Sequence, residues 1–449
     1  MATFSLPSGD NNRYRIIIVL ALIVMAAIAL RVTLILTTDH SNLMRADAYE
    51  YYRYALNLKI CGVYSQSVEA ILTACETRPQ ADSHRPPGFP LLLLPFVEWP
   101  PTLAMMRNIQ WLQIALGALC VVLTFLTFRR LGPAIALASA FFVALSPHLV
   151  VASLNFLTEN LFTLVLLLFL YAGSRWIEKP SLGGAAAIGV TLAFPLLVKS
   201  TTLYLVFLIV PFFAWAAKKQ RISTAAVIVM AFLLGYGPWY ALSSYVLPAR
   251  AGPSLSLQSI HNGTYIDLMV EGNPDTRGEP HKHDPTYAER DSLRKVVENL
   301  HQRAIEKPGA YLRWYLIDKP KMYFSWDVVA GFGDVFVYPV RFNGYGSNYW
   351  LNLSHKIMWN LHWPLTILAG AACALVWLPK RGTSGRDKSS VCLMRFAALI
   401  VAYFVAVHVV GTPLSRYAVP IRPIVFALGC WIVVELFSSI HRYVVGKVI

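Results

Sequence analysis

Apolar blocks close to 20 residues long alternate with short polar breaks along most of this 449-residue chain. Twenty apolar residues match the thickness of a bilayer core when helical. The pattern predicts ten membrane helices, near 16–36, 103–127, 133–151, 156–174, 182–198, 201–217, 223–245, 356–378, 391–410 and 418–438. The first block is longer than the apolar core of a signal peptide and is followed by no clear cleavage site, so it reads as a retained span. Two long segments interrupt the series, 37–102 and 246–355. The resulting division is a membrane bundle over 1–245 (including the 37–102 segment), an outer-face loop over 246–355, and a second membrane part over 356–449.

The two long segments carry helical patterns of their own. In "MRADAYEYYRYALNLK", Tyr51, Ala55 and Leu58 share one face, and Glu50, Arg53 and Asn57 fall on another. This predicts a short amphipathic helix on the membrane surface. In the second segment, Asp284-Pro285 reads as a helix start. Leu293, Val297, Leu300 and Ala304 follow at helical spacing, and "PGAYLRWYLIDKPKMYF" adds another aromatic amphipathic stretch. The expected fold class is therefore an all-α polytopic membrane protein capped by amphipathic surface helices.

Composition agrees: 56% of residues are hydrophobic and only 14% charged, too few charges for a water-soluble surface of this size. The formal net charge of +15 would suit a nucleic-acid binder. Its distribution argues otherwise, because the basic residues flank apolar blocks and no zinc spacing or basic tail accompanies them. Arg13, Arg15, Arg129, Arg130, Arg175, Lys179, Lys218, Lys219, Arg221, Lys380, Arg381, Arg386, Lys388, Arg442 and Lys447 all fall on one side if both termini are cytoplasmic. Both long segments then face outward.

A second set of ionisable residues collects at the outward ends. Asp47 begins the first surface helix, and its D-x-x-E spacing with Glu50 also fits a capping box. Arg85 stands in the rigid turn "HRPPGFP", where it fits either a site or a snorkelling interfacial arginine. Glu159 lies at the mouth of the fourth span, at a helix start where it would also favour the dipole. Lys199 occupies a tight outer turn against the positive-inside bias, and Arg416 precedes the tenth span beside Tyr417. Arg31, inside the first span, either pairs with an acidic group or snorkels outward. Carboxylates beside cations at a membrane surface suit a hydroxyl nucleophile and a phosphate leaving group. No glycine-rich phosphate loop points to a soluble nucleotide.

The ordered motifs resemble the polyprenyl-phosphate-sugar-dependent glycosyltransferases of the protein O-mannosyltransferase-like class (glycosyltransferase family 39-like, fold type C). The series runs "ADAYEYYRYALNL", "RPPGFPLLL", "LSPHLVVASLNFLTENLF", "LVKSTTLYL", "GPWYAL", "EGNPDTRGE", "KPGAYLRWYLIDKPK" and "SRYAVPIRP". The resemblance implies a type C glycosyltransferase fold. It implies that Asp47 is the catalytic acid residue near the acceptor and that Arg85, Lys199 and Arg416 lie near the lipid-linked phosphate. Glu50, Tyr417 and Arg31 would support them. Many relatives carry two adjacent acidic residues where this chain has Asp47-Ala48, which makes Glu159 the candidate partner carboxylate. "YALSS" also follows Pro-Trp in place of the usual Arg-Asn.

The expected activity is sugar transfer, with inversion, from a polyprenyl-phosphate donor to a lipid, protein or polysaccharide at the outer face of a bacterial inner membrane. The alternative is a transporter or flippase of lipid-linked sugars. That would place polar groups at mid-membrane and often show repeats, whereas here the ionisable groups cluster at span ends and no repeat is visible. The sequence requires no cofactor. A divalent metal has candidate ligands in His261, His281, His283 and Asp284, although "HKHD" also suits an exposed loop. Cys61 and Cys75 share the first outer segment, where an oxidising compartment permits a disulfide.

Overall fold

The computed structural model describes residues 10–40, 42–246, 255–280, 283–328, 333–378 and 388–448. Each of the ten apolar stretches is largely helical. Among the described residues, six helical stretches are long and apolar enough to cross a membrane, and three shorter apolar stretches, 133–145, 182–198 and 200–216, lie among them. The protein is an integral membrane protein. Local chemistry sets the helix ends. Thr102 accepts from the Met105 amide at the start of Leu103–Phe128, and Ser181 caps Leu182–Val198 through the Gly184 amide. Asn348 caps Tyr349–Leu375, which begins seven residues before the expected 356. The expected 133–151 span breaks at Ser146-Pro147 into Pro133–Leu145 and Pro147–Val151, because proline removes a backbone donor and restricts the residue before it.

The bundle core interlocks aromatic rings. Phe396 meets Phe169 and Phe213 edge to face, and Phe213 meets Trp176. Leu182–Val198 packs against Arg221–Ala241 at close range; a side chain at Gly189 would strike the Ile228 carbonyl. The basic clusters converge at one end of the bundle. Arg130 pairs with Glu178 at 3.1 Å, and Lys218, Arg221 and Lys388 border a common cavity. Lys380, Arg381 and Arg386 lie outside the described residues, as do the side chains of Arg442 and Lys447.

Both long inter-span segments are folded. The first contains the helix Ala46–Cys61, and a minimal antiparallel pair joins Asp39–His40 to Val340–Phe342 in the second. Ala46–Cys61 is more than a surface helix. Tyr51, Tyr52, Tyr54, Ala55, Leu56 and also Asn57 are buried. Asn57 was expected on the polar face, but its amide donates to the carbonyls of Ser65 and Ser67 at 2.8 and 2.9 Å. The chain after Gly62, where φ is +64°, folds back over the helix and covers that face. A disulfide between Cys61 and Cys75 closes this return.

The second segment departs from its pattern at two points. Asp284 does not begin the following helix; it accepts from the amide and hydroxyl of Thr286 in a turn, and Ser292 caps Leu293–Glu306. Within that helix only Val296 is buried, and Leu293 and Val297 remain exposed. The spacing identified a helix but not the face that packs.

Candidate active site

The N-terminus of Ala46–Cys61, the turn before Gly88–Leu93, the start of Glu159–Glu178, the end of Leu182–Val198 and the turn Ser415–Ile421 meet at one end of the bundle. They bring together six of the residues singled out from sequence: Asp47, Glu50, Arg85, Glu159, Lys199 and Arg416. Asp47 Oδ1 accepts from Arg85 Nη2 at 2.7 Å, and Oδ2 accepts from Arg416 Nη2 at 2.7 Å. Arg85 Nε donates to Glu50 Oε2 at 2.7 Å. Arg416 Nε donates to Glu159 Oε1 at 3.0 Å, and Lys199 Nζ stands 3.5 Å from the same oxygen.

Each arginine thus spans two carboxylates, a use of guanidinium geometry that a lysine ammonium could not reproduce. Tyr51 lies against Arg85, and Tyr417 against Lys199. Three carboxylates balance three cations. Glu159 Oε2 is buried without a hydrogen-bond partner, and Glu159 borders a small space with Arg416, His148, Asn155 and Val335.

Two readings are corrected here. Asp47 is not the helix cap: position 45 holds the N-cap, no side chain caps the helix, and both Asp47 oxygens are taken by arginines. Arg85 is not a free snorkelling residue, since its guanidinium is committed to Asp47 and Glu50. Burial pushes the Asp47 carboxyl up, but Arg416 and Arg85 outweigh it and hold it well below the usual carboxylate range. Burial pulls Arg85 down, but Tyr51, Asp47 and Glu50 more than compensate, so it stays protonated. With 28% of its side chain exposed, Asp47 opens toward the surface, whereas Glu159 at 5% does not.

The structure does not bring Arg31 into this group. It neither pairs with an acid nor snorkels. It is buried, donates to the Ala27 and Leu149 carbonyls at 2.9 and 3.4 Å, and lies against Gly117, whose missing side chain makes room for it.

Ala48, the residue after Asp47, is fully buried within an apolar cluster. Glu159 reaches Asp47 through the shared Arg416. Sequence reasoning missed Tyr338, whose hydroxyl donates to the Arg45 carbonyl at 3.1 Å and accepts from the Ala48 amide at 3.4 Å. It braces the turn that carries Asp47. Nothing in "FVYPV" signals a partner some 290 residues away.

Of the candidate metal ligands, His261 Nε2 lies 2.9 Å from Asp284 Oδ2 in a buried pair, and His281 lies outside the described residues. Among the described residues no group of three or more His, Cys, Asp or Glu side chains is arranged to hold a metal.

The architecture is that of the type C glycosyltransferases. Residues 102–239 match the family model described as dolichyl-phosphate-mannose-protein mannosyltransferase, a stretch that includes Glu159 and Lys199. Among solved structures, the chain is similar to the Archaeoglobus fulgidus oligosaccharyltransferase tethered with an acceptor peptide, with 14% identity and TM-score 0.52, covering 96% of this chain and 50% of that one. It is similar to AglB from Archaeoglobus fulgidus in complex with an inhibitory peptide and a dolichol-phosphate, with 13% identity, TM-score 0.50 and coverage of 98% and 52%. ArnT from Cupriavidus metallidurans bound to undecaprenyl phosphate aligns with 13% identity, TM-score 0.48 and coverage of 91% and 59%. The chain therefore spans 50–59% of the length of these structures. A search of curated proteins finds no match to the chain. The motif resemblance read from the sequence is borne out by the family match and the shared fold.

Proposed function

We propose that the protein is a glycosyltransferase that moves a hexosyl or pentosyl group from a polyprenyl-phosphate donor to an acceptor hydroxyl at the outer face of a bacterial inner membrane. The observation carrying this reading is the pairing of Asp47 with both Arg85 and Arg416 at a surface where bilayer-borne headgroups arrive. The family match and the dolichol-phosphate held by AglB support the donor class. A flippase would need a polar path across the membrane, and the charged cluster lies at the helix ends instead.

In the resting arrangement Asp47 is a weak base, because two guanidiniums stabilise its charge. A donor phosphate engaging Arg85, Lys199 or Arg416 draws part of that charge away and raises the basicity of Asp47 as the donor binds. The acceptor oxygen then attacks the anomeric carbon while its proton passes to Asp47. The bond from that carbon to the phosphate oxygen breaks, and the polyprenyl phosphate leaves with the electron pair, stabilised by the cations. Glu159 keeps Arg416 and Lys199 oriented through the cycle.

Purified protein in detergent, supplied with polyprenyl-phosphate sugars, tests the proposal: sugar should leave the carrier for an added acceptor although no membrane sidedness exists. Binding of the donor with no transfer to any acceptor class, together with transport in vesicles, would establish the flippase instead.

A further inference from the structure

A second charged region lies at the opposite end of the bundle, about 30 Å away along the 20-residue helix Glu159–Glu178. It is a cavity of about 660 Å³ bordered by Lys218, Arg221, Lys388 and Arg395. Trp176 and Trp431 are buried in its wall, and Trp215 stands half exposed at its rim. Arg395 anchors one side: its Nε donates to the Val376 carbonyl at 3.1 Å, and its guanidinium lies 5.8 and 5.5 Å from the Trp215 and Trp377 rings. None of the described lining residues is acidic.

The positive-inside tendency explains why cations gather at this end. It does not explain their convergence on one walled cavity with tryptophans in its lining. Among the described lining residues these four cations meet no carboxylate, and the resulting positive field favours an anion. The exposed Trp215, Trp377 and Leu378 form the amphipathic fringe found at headgroup depth, so the anion arrives from the membrane.

We propose that this cavity is a binding site for the phosphate headgroup of an anionic phospholipid, separate from the carboxylate–arginine site. Basic pockets between membrane helices favour such headgroups. The ligand joins the ends of Glu159–Glu178, Val206–Ala216, Tyr349–Leu375 and Lys388–Val410, so its binding stabilises the bundle. The inference does not depend on the sugar-transfer reading.

The test uses the full chain, purified and delipidated in detergent. Melting temperature is followed against added phosphatidylglycerol, phosphatidylcholine or inorganic phosphate. Phosphatidylglycerol should raise the melting temperature saturably, and the other two should not. The double variant Lys218→Gln/Arg221→Gln, at two exposed positions, should need about 30-fold more phosphatidylglycerol for half the effect, the loss expected from removing two surface cations.

An unchanged response in the double variant overturns the proposal, as does an equal response to phosphatidylcholine. An effect reproduced by inorganic phosphate assigns the cavity to a soluble anion and overturns the lipid assignment. Where the variant does not melt cooperatively, quenching of the wild-type tryptophans by brominated phosphatidylglycerol decides. Quenching beyond that by brominated phosphatidylcholine supports the site, and equal quenching overturns it.

Discussion

The two charged ends of the bundle differ in how their charge is balanced. At one end, Asp47, Glu50 and Glu159 neutralise Arg85, Lys199 and Arg416 through charged contacts of 2.7–3.5 Å. At the other, four cations border a cavity with no acidic partner in its described lining. A balanced cluster holds its groups in fixed geometry and shifts their proton affinities. An unbalanced one stores attraction for a ligand. The first arrangement suits chemistry, because charge moves within it during a reaction. The second suits binding of an anion that is not transformed.

The comparison breaks most sharply at Asp47. Asp47→Asn should reduce transfer by about 10²–10⁴-fold, the usual cost of losing a general base. The same variant also leaves Arg85 and Arg416 less compensated, so its melting temperature and donor affinity must be measured beside its rate. A folded, donor-binding Asp47→Asn protein with full transfer would remove Asp47 from the chemistry and turn attention to Glu159.

Next in size is the disulfide. Replacing Cys61 and Cys75 with serine should cost about 3 kcal/mol of stability in the first inter-span segment, from the loop-closure entropy of a separation of 14 residues. The expected readout is earlier proteolysis between residues 62 and 87. Unchanged protection would show that the fold over Asn57 holds itself.

Lys199→Met should weaken use of the lipid-phosphate donor by roughly 10- to 100-fold, as loss of one charge-assisted hydrogen bond to phosphate. The effect belongs in donor KM, and a fall in turnover alone would argue against a phosphate contact.

The smallest effect concerns pH. Because Asp47 titrates below its ordinary value of 3.8 in the folded protein, its contribution to stability is fully present above that value. It is lost only as pH falls below it. Between pH 5 and 8 the melting temperature of wild type and of Asp47→Asn should therefore differ by a constant. A gap that closes across that range would mean that Asp47 is not held by the arginines.

Much of this was legible in the sequence. Apolar block length located the helices, and the ordered motifs pointed to Asp47, Arg85, Glu159, Lys199 and Arg416, which the fold gathers. What was illegible depends on partners distant along the chain. The capping pattern at Asp47 and Glu50 is real as spacing, but arginines at positions 85 and 416 outcompete the backbone amides for those oxygens. Asn57 reads as solvent-facing because one-dimensional periodicity contains no information about a chain that folds back over it. Arg31 reads as exposed or paired because nothing near it in sequence reveals the gap at Gly117. The face of Leu293–Glu306 was ambiguous for a related reason: a stripe facing lipid and a stripe facing protein have the same composition.

The hydrogen bond between Arg416 and Asp47 joins residues 369 positions apart. During synthesis at about 5–20 residues per second, Asp47 is made roughly 20–70 s before its second arginine. Over that interval the helix bearing it holds a half-neutralised acid, and Tyr338, its brace, is also still to come. A chain stopped short of residue 416 would lack the guanidinium that links Asp47 to Glu159. Docking of the turn Ser415–Ile421 thus completes the charged cluster late in assembly, and under the proposed function transfer would begin only in molecules where that turn has met the helix bearing Asp47.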